Sequence, residues 1–178
     1  PTALSLSSNK VNKNIGNIFK DTNIRIYYSE GYKTLEFLGI LKNIYAIGAG
    51  VIDATSLGQN ARAAYITRCI VEIKSMLKSL NLNTNMIYSL GGIGDLILSC
   101  SSNKSRNYYF GYCFEKKNKN KTLNRKTIEG INSCLNIKNN IKININKFPI
   151  INSIIKIING SPSKKEIKIL LNRKFKNE

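Results

Sequence analysis

An apolar stretch at residues 33–53 constrains the fold of this 178-residue chain more than any other feature. Its aliphatic side chains recur at helical spacing on most faces of a helix, at Leu35, Leu38, Leu41, Ile44, Ile47 and Val51. A helix that is apolar nearly all round belongs in the interior of a protein. We therefore predict a long buried helix here.

The pattern after this stretch predicts further helices, with a break at 81–85. The segment 59–80 is amphipathic, and its Arg68 and Glu72 lie four residues apart, where they can pair on one face. Pro149 suits the first turn of a helix, and Ser105 suits a cap. The helices predicted after the first two are at 94–102, 105–116, 126–136, 148–158 and 163–174. The body is predicted to be an all-α domain of six to eight helices.

The first 30 residues have the pattern of a strand–helix–strand unit. Residues 2–8 alternate apolar and polar side chains, 9–20 carry apolar residues at helical spacing, and 23–29 are rich in β-branched and aromatic residues. This size is typical of a crossover in an α/β sheet but too small for a complete α/β domain. We predict the end of an α/β domain at 1–30 and the helical domain at 31–178.

The formal charge of +18 raises the question of a nucleic acid or an anionic membrane surface as partner. The basic residues occur together with asparagine and isoleucine at 116–126 and 137–147, a pattern that a bias toward A/T-rich codons also produces. These segments lack the ordered aromatic platforms of single-strand binders. We expect most basic side chains to be solvated surface, and we keep a non-catalytic RNA-binding module as the alternative function.

Several classes of chemistry are excluded by composition. The chain contains no histidine, which removes histidine acid–base catalysis, the Ser-His-Asp arrangement and the common zinc sites. Its four cysteines lack CxxC spacing and lie in apolar surroundings, so we expect free thiols and no metal. We find no signal-peptide pattern and no apolar run suited to a bilayer. We therefore expect a cytoplasmic protein without a membrane partner.

Residues 89–111 hold the polar side chains best suited to a ligand. A glycine-rich turn precedes Asp95, which is predicted to open a short helix, and Ser105-Arg106-Asn107 follow ten residues later. A carboxylate that enters a core needs a cationic partner, because an unpaired buried charge is costly. Arginine binds phosphate or carboxylate in a bidentate fork. The pattern indicates a small anionic ligand held beside a buried carboxylate, with a plain helix cap at Asp95 and a surface arginine at Arg106 as the alternatives.

Three blocks of sequence resemble, in the same order, the NAD(P)-dependent glycerol-3-phosphate dehydrogenase family. They are EFLGILKNIYAIGAG at 36–50, GQNARAAYITRCIVEI at 58–73 and GGIGDLILSCSSNKSRNYYFG at 91–111. The resemblance implies a mainly α fold, in which an all-α C-terminal domain like that of 6-phosphogluconate dehydrogenase follows a strand–helix–strand remnant of a Rossmann α/β domain. It also implies interconversion of glycerol 3-phosphate and dihydroxyacetone phosphate with NAD or NADP.

The same resemblance implies roles for single residues. Lys42, in the LKN motif, would transfer the proton and bind substrate with Asn43. The alternative is that Lys42 has no catalytic role, and that its stem lies at the edge of the core while its charge stays in water. Asp95 would orient the Lys42 ammonium and contact a substrate hydroxyl, and Ser99, where the family usually has threonine, would also bind substrate.

Residues for phosphate and cofactor are implied in the same way. Ser105, Arg106 and Asn107 would bind the substrate phosphate, with Arg106 also close to the cofactor. The sequence TIEG at 127–130 resembles a family element whose glutamate contacts the nucleotide, which implies that role for Glu129. The family's N-terminal Rossmann half, with its GxGxxG turn, does not occur in this sequence. We expect that half to be a required partner, so that the chain alone is inactive, and we leave a homodimer open.

Overall fold

The structure is a computed structural model that describes residues 2–7, 14–116, 127–140 and 143–171. Within these residues the elements are β1 (Thr2–Ser7), α1 (Asn14–Ile18), β2 (Ile24–Ser29), α2 (Tyr32–Ala54), α3 (Gln59–Ser79), α4 (Asp95–Ser101), α5 (Arg106–Glu115), α6 (Glu129–Asn140), α7 (Pro149–Ile158) and α8 (Ser163–Leu171). Short 3-10 turns at Thr84–Tyr88 and Ile145–Lys147 and a π-helical turn at Leu90–Gly94 complete them. The predicted mainly α fold is confirmed.

The strand–helix–strand unit at the N-terminus is confirmed as well. Strands β1 and β2 pair in parallel, from Thr2 opposite Ile24 to Ser7 opposite Ser29, with α1 in the connection between them. Parallel neighbours cannot be joined by a tight turn, which is why a crossover separates them. Part of the predicted 9–20 helix lies outside the described residues, as do the last three residues of the predicted 163–174 helix.

Helix α2 is the centre of the helical domain. The predicted burial is confirmed for Leu38, Leu41, Ile44, Ile47 and Val51, which are almost fully buried, whereas Leu35 is half-buried. Helices α3, α4, α5, α6 and α7 all pack against it. The expectation that no apolar run suits a bilayer is wrong by length and composition, because α2 meets both criteria. Most of this span is nevertheless buried among the other helices, and the core helix of a soluble protein meets the same criteria.

The closest approach between α2 and α5 depends on two glycines. A Cβ atom at Gly50 would lie 2.0 Å from the carbonyl oxygen of Tyr108, and one at Gly111 would lie 2.0 Å from that of Ile47. Backbone atoms of two packed helices cannot give way as the end of a flexible side chain can. The sequence Gly48-Ala49-Gly50 lies inside α2, as predicted, and Gly50 has a packing role there.

We expect Gly50→Ala to lower the free energy of unfolding by at least about 1–3 kcal/mol, because the added methyl group forces α2 and α5 apart. Gly39→Ala is the matched control on the same helix, since a Cβ there meets nothing within 4 Å. It should raise the stability by about 0.5–1 kcal/mol, the usual gain in a helix interior. Urea unfolding measures both, and equal effects would contradict the close helix crossing.

Candidate active site

An ion pair joins the middle of α2 to the start of α4. The Nζ atom of Lys42 donates to Oδ2 of Asp95 at 2.5 Å. The two side chains are 27% and 39% exposed, so the expectation of buried charges is wrong. The pair lies at the rim of the core, where the Lys42 stem packs and both charged ends stay within reach of a ligand.

The π-helical turn Leu90–Gly94 sets the position of Asp95. A Cβ at Gly92 would lie 2.2 Å from the carbonyl oxygen of Ile87, so the chain can pass there only without a side chain. Asp95 then begins α4, and a carboxylate in a first helical turn interacts favourably with the helix dipole. The predicted helix start at Asp95 is thereby confirmed.

A second network begins at Asn43, the next residue on α2. Its Nδ2 donates to Oε2 of Glu129 at 3.2 Å, and its Oδ1 accepts from Nδ2 of Asn107 at 3.1 Å. The other oxygen of Glu129, Oε1, accepts from Nη2 of Arg106 at 2.6 Å. Since Arg106 and Asn107 begin α5 and Glu129 begins α6, this network fixes the starts of two helices against α2.

The three residues predicted to bind phosphate have different surroundings. Arg106 is exposed, whereas Asn107 is 5% exposed and its Oδ1 accepts from the backbone N–H of Gly130 at 2.9 Å. The hydroxyl of Ser105 accepts from the N–H of Tyr108 at 3.4 Å, which confirms the predicted cap of α5. Asn107 therefore positions Asn43 and the start of α6, while Arg106 faces solvent.

Most of the predicted site residues meet at one turn of α2, because Lys42 and Asn43 are adjacent in the chain. Ser99 lies one turn after Asp95 on the same face of α4 and is half-buried. Within the part of the chain that the structure describes, the hydroxyls of Ser99 and Ser105 make no hydrogen bond to the side chains of the other predicted site residues. The structure thus brings together two ion pairs, Lys42–Asp95 and Arg106–Glu129, with these two hydroxyls on the neighbouring helices.

A polar cluster that the sequence did not predict connects α2, α3 and α5. Oδ2 of Asp53 accepts from both Nη1 of Arg62 and the hydroxyl of Tyr108. Burial raises the pKa of Tyr108 to about 12, and its bond to Asp53 adds to the effect. The same carboxylate raises the pKa of Arg62 through a hydrogen bond. Because Asp53, Arg62 and Tyr108 lie on three different helices, no spacing within one helix could have predicted this polar cluster.

The four cysteines are free thiols, and Cys69, Cys100 and Cys134 are buried, whereas Cys113 is half-buried. Burial raises the pKa of Cys100 and Cys134 to about 12 and that of Cys69 well above its ordinary value. A thiol that keeps its proton is a poor nucleophile and a poor metal ligand. Among the described residues, no group of three or more cysteine or acidic side chains could hold a metal ion. The charged side chains around α2 remain the candidate site.

Solved structures with the same arrangement of helices define the class of fold. Glycerol-3-phosphate dehydrogenase from Coxiella burnetii matches with a TM-score of 0.77 at 29% sequence identity, over 97% of this chain and 55% of that one. The enzyme from Plasmodium falciparum, at 20% identity, shares the fold with a TM-score of 0.76 over 98% of this chain and 53% of its own. This chain therefore has the fold of about half of each of these dehydrogenases.

Sequence comparison gives the family. The model of the NAD-dependent glycerol-3-phosphate dehydrogenase C-terminus matches residues 32–168. The glycerol-3-phosphate dehydrogenase [NAD(P)+] of Staphylococcus haemolyticus is 33% identical over all of this chain, which is 55% of the length of that enzyme. The enzyme of Legionella pneumophila is 40% identical over 62% of this chain and 34% of its own length. The chain belongs to the NAD-dependent glycerol-3-phosphate dehydrogenase family and corresponds to its C-terminal half. It spans about half the length of the Staphylococcus relative.

Proposed function

We propose that this chain is the substrate-binding and proton-transferring half of a glycerol-3-phosphate dehydrogenase, which interconverts glycerol 3-phosphate and dihydroxyacetone phosphate with NAD or NADP. The ion pair between Lys42 and Asp95, next to the Asn43–Arg106 network, carries this proposal. Lys42, whose ammonium can give a proton, precedes Asn43 in the chain. Asn43 and the exposed guanidinium of Arg106, which can bind phosphate, both donate to the carboxylate of Glu129. The substrate has the matching parts, a carbonyl or alcohol group and a phosphate.

The proton step belongs to Lys42. Reduction of the ketone leaves an alkoxide oxygen, to which the Lys42 ammonium gives a proton as the charge forms. In the opposite direction the neutral amine takes the proton from the alcohol. Asp95 accepts a hydrogen bond from Nζ through Oδ2, which orients the ammonium and leaves Oδ1 to accept from a substrate hydroxyl.

The phosphate group of the substrate binds at the start of α5. Arg106 binds phosphate through its fork of N–H groups, and the dipole of α5 adds a favourable field at the same end. Ser105 caps this helix and fixes the direction of its first turn. Asn107 supports the site by holding Asn43, and Ser99 offers a hydroxyl from the face of α4 that carries Asp95.

NAD or NADP would supply or accept the hydride. The residues of this chain that suit the cofactor are at the edge of the site, since Arg106 and Glu129 are 64% and 55% exposed at the starts of α5 and α6. The sequence itself has no GxGxxG turn for the pyrophosphate. The main cofactor site therefore belongs to the N-terminal half of the enzyme, which we assign as the partner of this chain.

The domain assignment follows the same division. We assign residues 1–30 to the end of the nucleotide-binding domain and 31–178 to the substrate domain. The exposed side chains of Leu4, Tyr27 and Tyr28 on β1 and β2 support this, because parallel sheets are normally covered on both faces. A cytoplasmic location stays a prediction.

The activity test compares the chain alone with a joined enzyme, in which the chain follows the N-terminal portion of the Staphylococcus haemolyticus relative. The chain alone should not oxidise NADH or NADPH with dihydroxyacetone phosphate, because hydride transfer needs a closely positioned nicotinamide. The joined enzyme should do so, with the unaltered relative as the assay control. Turnover by the chain alone, or a folded joined enzyme without turnover, would contradict the proposal.

The RNA-binding alternative predicts tight binding that weakens steeply with salt. Its basic segment 116–126 lies almost entirely outside the described residues. In this alternative the chain is the remnant of an enzyme that has lost its activity, and such a remnant should have lost some residues of the site. The pairs Lys42–Asp95 and Arg106–Glu129 are both formed. Specific binding of glycerol 3-phosphate without tight RNA binding would exclude the alternative.

A further inference from the structure

The side chain of Glu129 contacts two residues that are predicted to bind the substrate, Arg106 at the phosphate and Asn43 next to Lys42. One oxygen accepts from Nη2 of Arg106 at 2.6 Å, and the other accepts from Nδ2 of Asn43 at 3.2 Å. We infer that the Glu129 carboxylate is an internal competitor that holds Arg106 and Asn43 until the phosphate displaces it. The inference rests on the proposed function, since it describes the control of the same phosphate site.

Displacement of Glu129 by a phosphate costs little free energy, because the ion pair between Arg106 and Glu129 is exposed. The side chains are 64% and 55% exposed, and ion pairs of this kind stabilise a protein little. A phosphate offers more charge and more acceptor oxygens than a carboxylate, and it binds a guanidinium in a bidentate manner. The gain from the phosphate therefore exceeds the loss of the Glu129 contact.

The backbone behind Glu129 is fixed, so only its side chain has to move. Oδ1 of the buried Asn107 accepts from the N–H of Gly130 at 2.9 Å, and its Nδ2 holds Asn43 at 3.1 Å. A Cβ at Gly130 would lie 2.6 Å from the carbonyl oxygen of Asn43, which shows how closely α6 approaches α2. The carboxylate can release Arg106 while α6 stays in place.

The competition also predicts which anions bind. With Glu129 in place, the charges of Arg106 and Glu129 cancel. An anion therefore binds only if it interacts with Arg106 more strongly than the Glu129 carboxylate does. A doubly charged phosphate meets this condition, whereas a singly charged carboxylate merely replaces Glu129. Glu129 thus tunes the site for phosphate esters over carboxylic acids.

The test titrates the 178-residue chain with inorganic phosphate, glycerol 3-phosphate and acetate at constant ionic strength, followed by NMR. Glu129→Gln should bind both phosphates about three- to fivefold more tightly and begin to bind acetate, because Arg106 is no longer neutralised. Arg106→Ala should bind the phosphates at least about tenfold more weakly. The double variant should match Arg106→Ala. Glu115→Gln, at the far end of α5, controls for net charge.

The outcomes separate this inference from the proposed function. Unchanged or weaker phosphate binding by Glu129→Gln, with Arg106→Ala still defective, would overturn the role of Glu129 alone. A gain that persists in the double variant, or an equal gain in Glu115→Gln, would show a general charge effect and would also overturn it. Unchanged phosphate binding by Arg106→Ala would instead overturn the phosphate site of the proposed function.

Discussion

An arginine in place of Lys42 should lower kcat of the joined enzyme by about 100- to 10,000-fold, the usual contribution of one general acid. The substitution keeps a positive charge next to Asp95, whose Oδ2 lies 2.5 Å from Nζ of Lys42. A guanidinium does not release its proton at any pH at which proteins stay folded, so it can hold Asp95 but cannot protonate the substrate oxygen. The loss should therefore appear in kcat while KM changes much less.

Two further variants distinguish proton transfer from electrostatic support. Lys42→Met keeps an unbranched apolar stem of similar length and removes the charge, so it should lose both the proton and the ion pair. Lys42→Ala opens space into which a small primary amine can diffuse, and added amine should restore part of its activity. Lys33→Arg, at an exposed position on the same helix, is the matched control. A Lys42→Arg enzyme as active as this control would remove Lys42 from the proton step.

The positions of the helices were predictable because their signals are local. The apolar spacing of residues 33–53 predicted both the extent and the burial of α2, and α7 begins at Pro149, as predicted. Ser105 caps α5 through a bond three residues along the chain. The π-helical turn at Leu90–Gly94 was predicted only as a glycine-rich turn, since its conformation depends on the close approach of Ile87 to Gly92.

The sequence predicted which residues make up the candidate site, whereas it did not predict most of their contacts. Lys42 and Asp95 are 53 residues apart, and only the family resemblance suggested that they meet. Glu129 was predicted to face a nucleotide, and in this structure it contacts Arg106 and Asn43. Such contacts depend on how α6 lies against α2 and α5, which no periodic pattern records. The nucleotide role of Glu129 stays a prediction.

Glu72 has contacts that a local pattern does not reveal. Its spacing from Arg68 predicts a pair on one face of α3, which stays a prediction, and the structure shows that Glu72 itself is only 6% exposed. Its carboxylate points into the core and meets the start of α7, where N–H groups of the first turn have no partner within their own helix. The need of α7 for an acceptor was not visible from the sequence of α3.

We expect Glu72→Gln to lower the free energy of unfolding by about 2–4 kcal/mol. The carboxylate accepts from the hydroxyl of Tyr45 at 3.0 Å and from the N–H groups of Ile150 and Ile151 at 2.8 Å each. A glutamine has nearly the same shape, but only one of its two terminal atoms accepts hydrogen bonds. Its NH₂ group would therefore face another donor and leave a buried N–H or O–H unpaired, which is costly in a core.

Urea unfolding tests this expectation, provided that the dependence of the unfolding free energy on urea concentration is the same in all variants. Two further variants serve for comparison. Tyr45→Phe removes a single bond to Glu72 and should cost about 1 kcal/mol, less than Glu72→Gln. Lys74→Gln alters an exposed position on the same helix and should change stability by no more than about 0.5 kcal/mol. If Glu72→Gln costs no more than Lys74→Gln, the start of α7 must be held by its apolar contacts, since α7 buries Ile150, Ile151 and Ile154. A loss larger than that of Tyr45→Phe would instead show that the two N–H groups of α7 depend on the charge of Glu72.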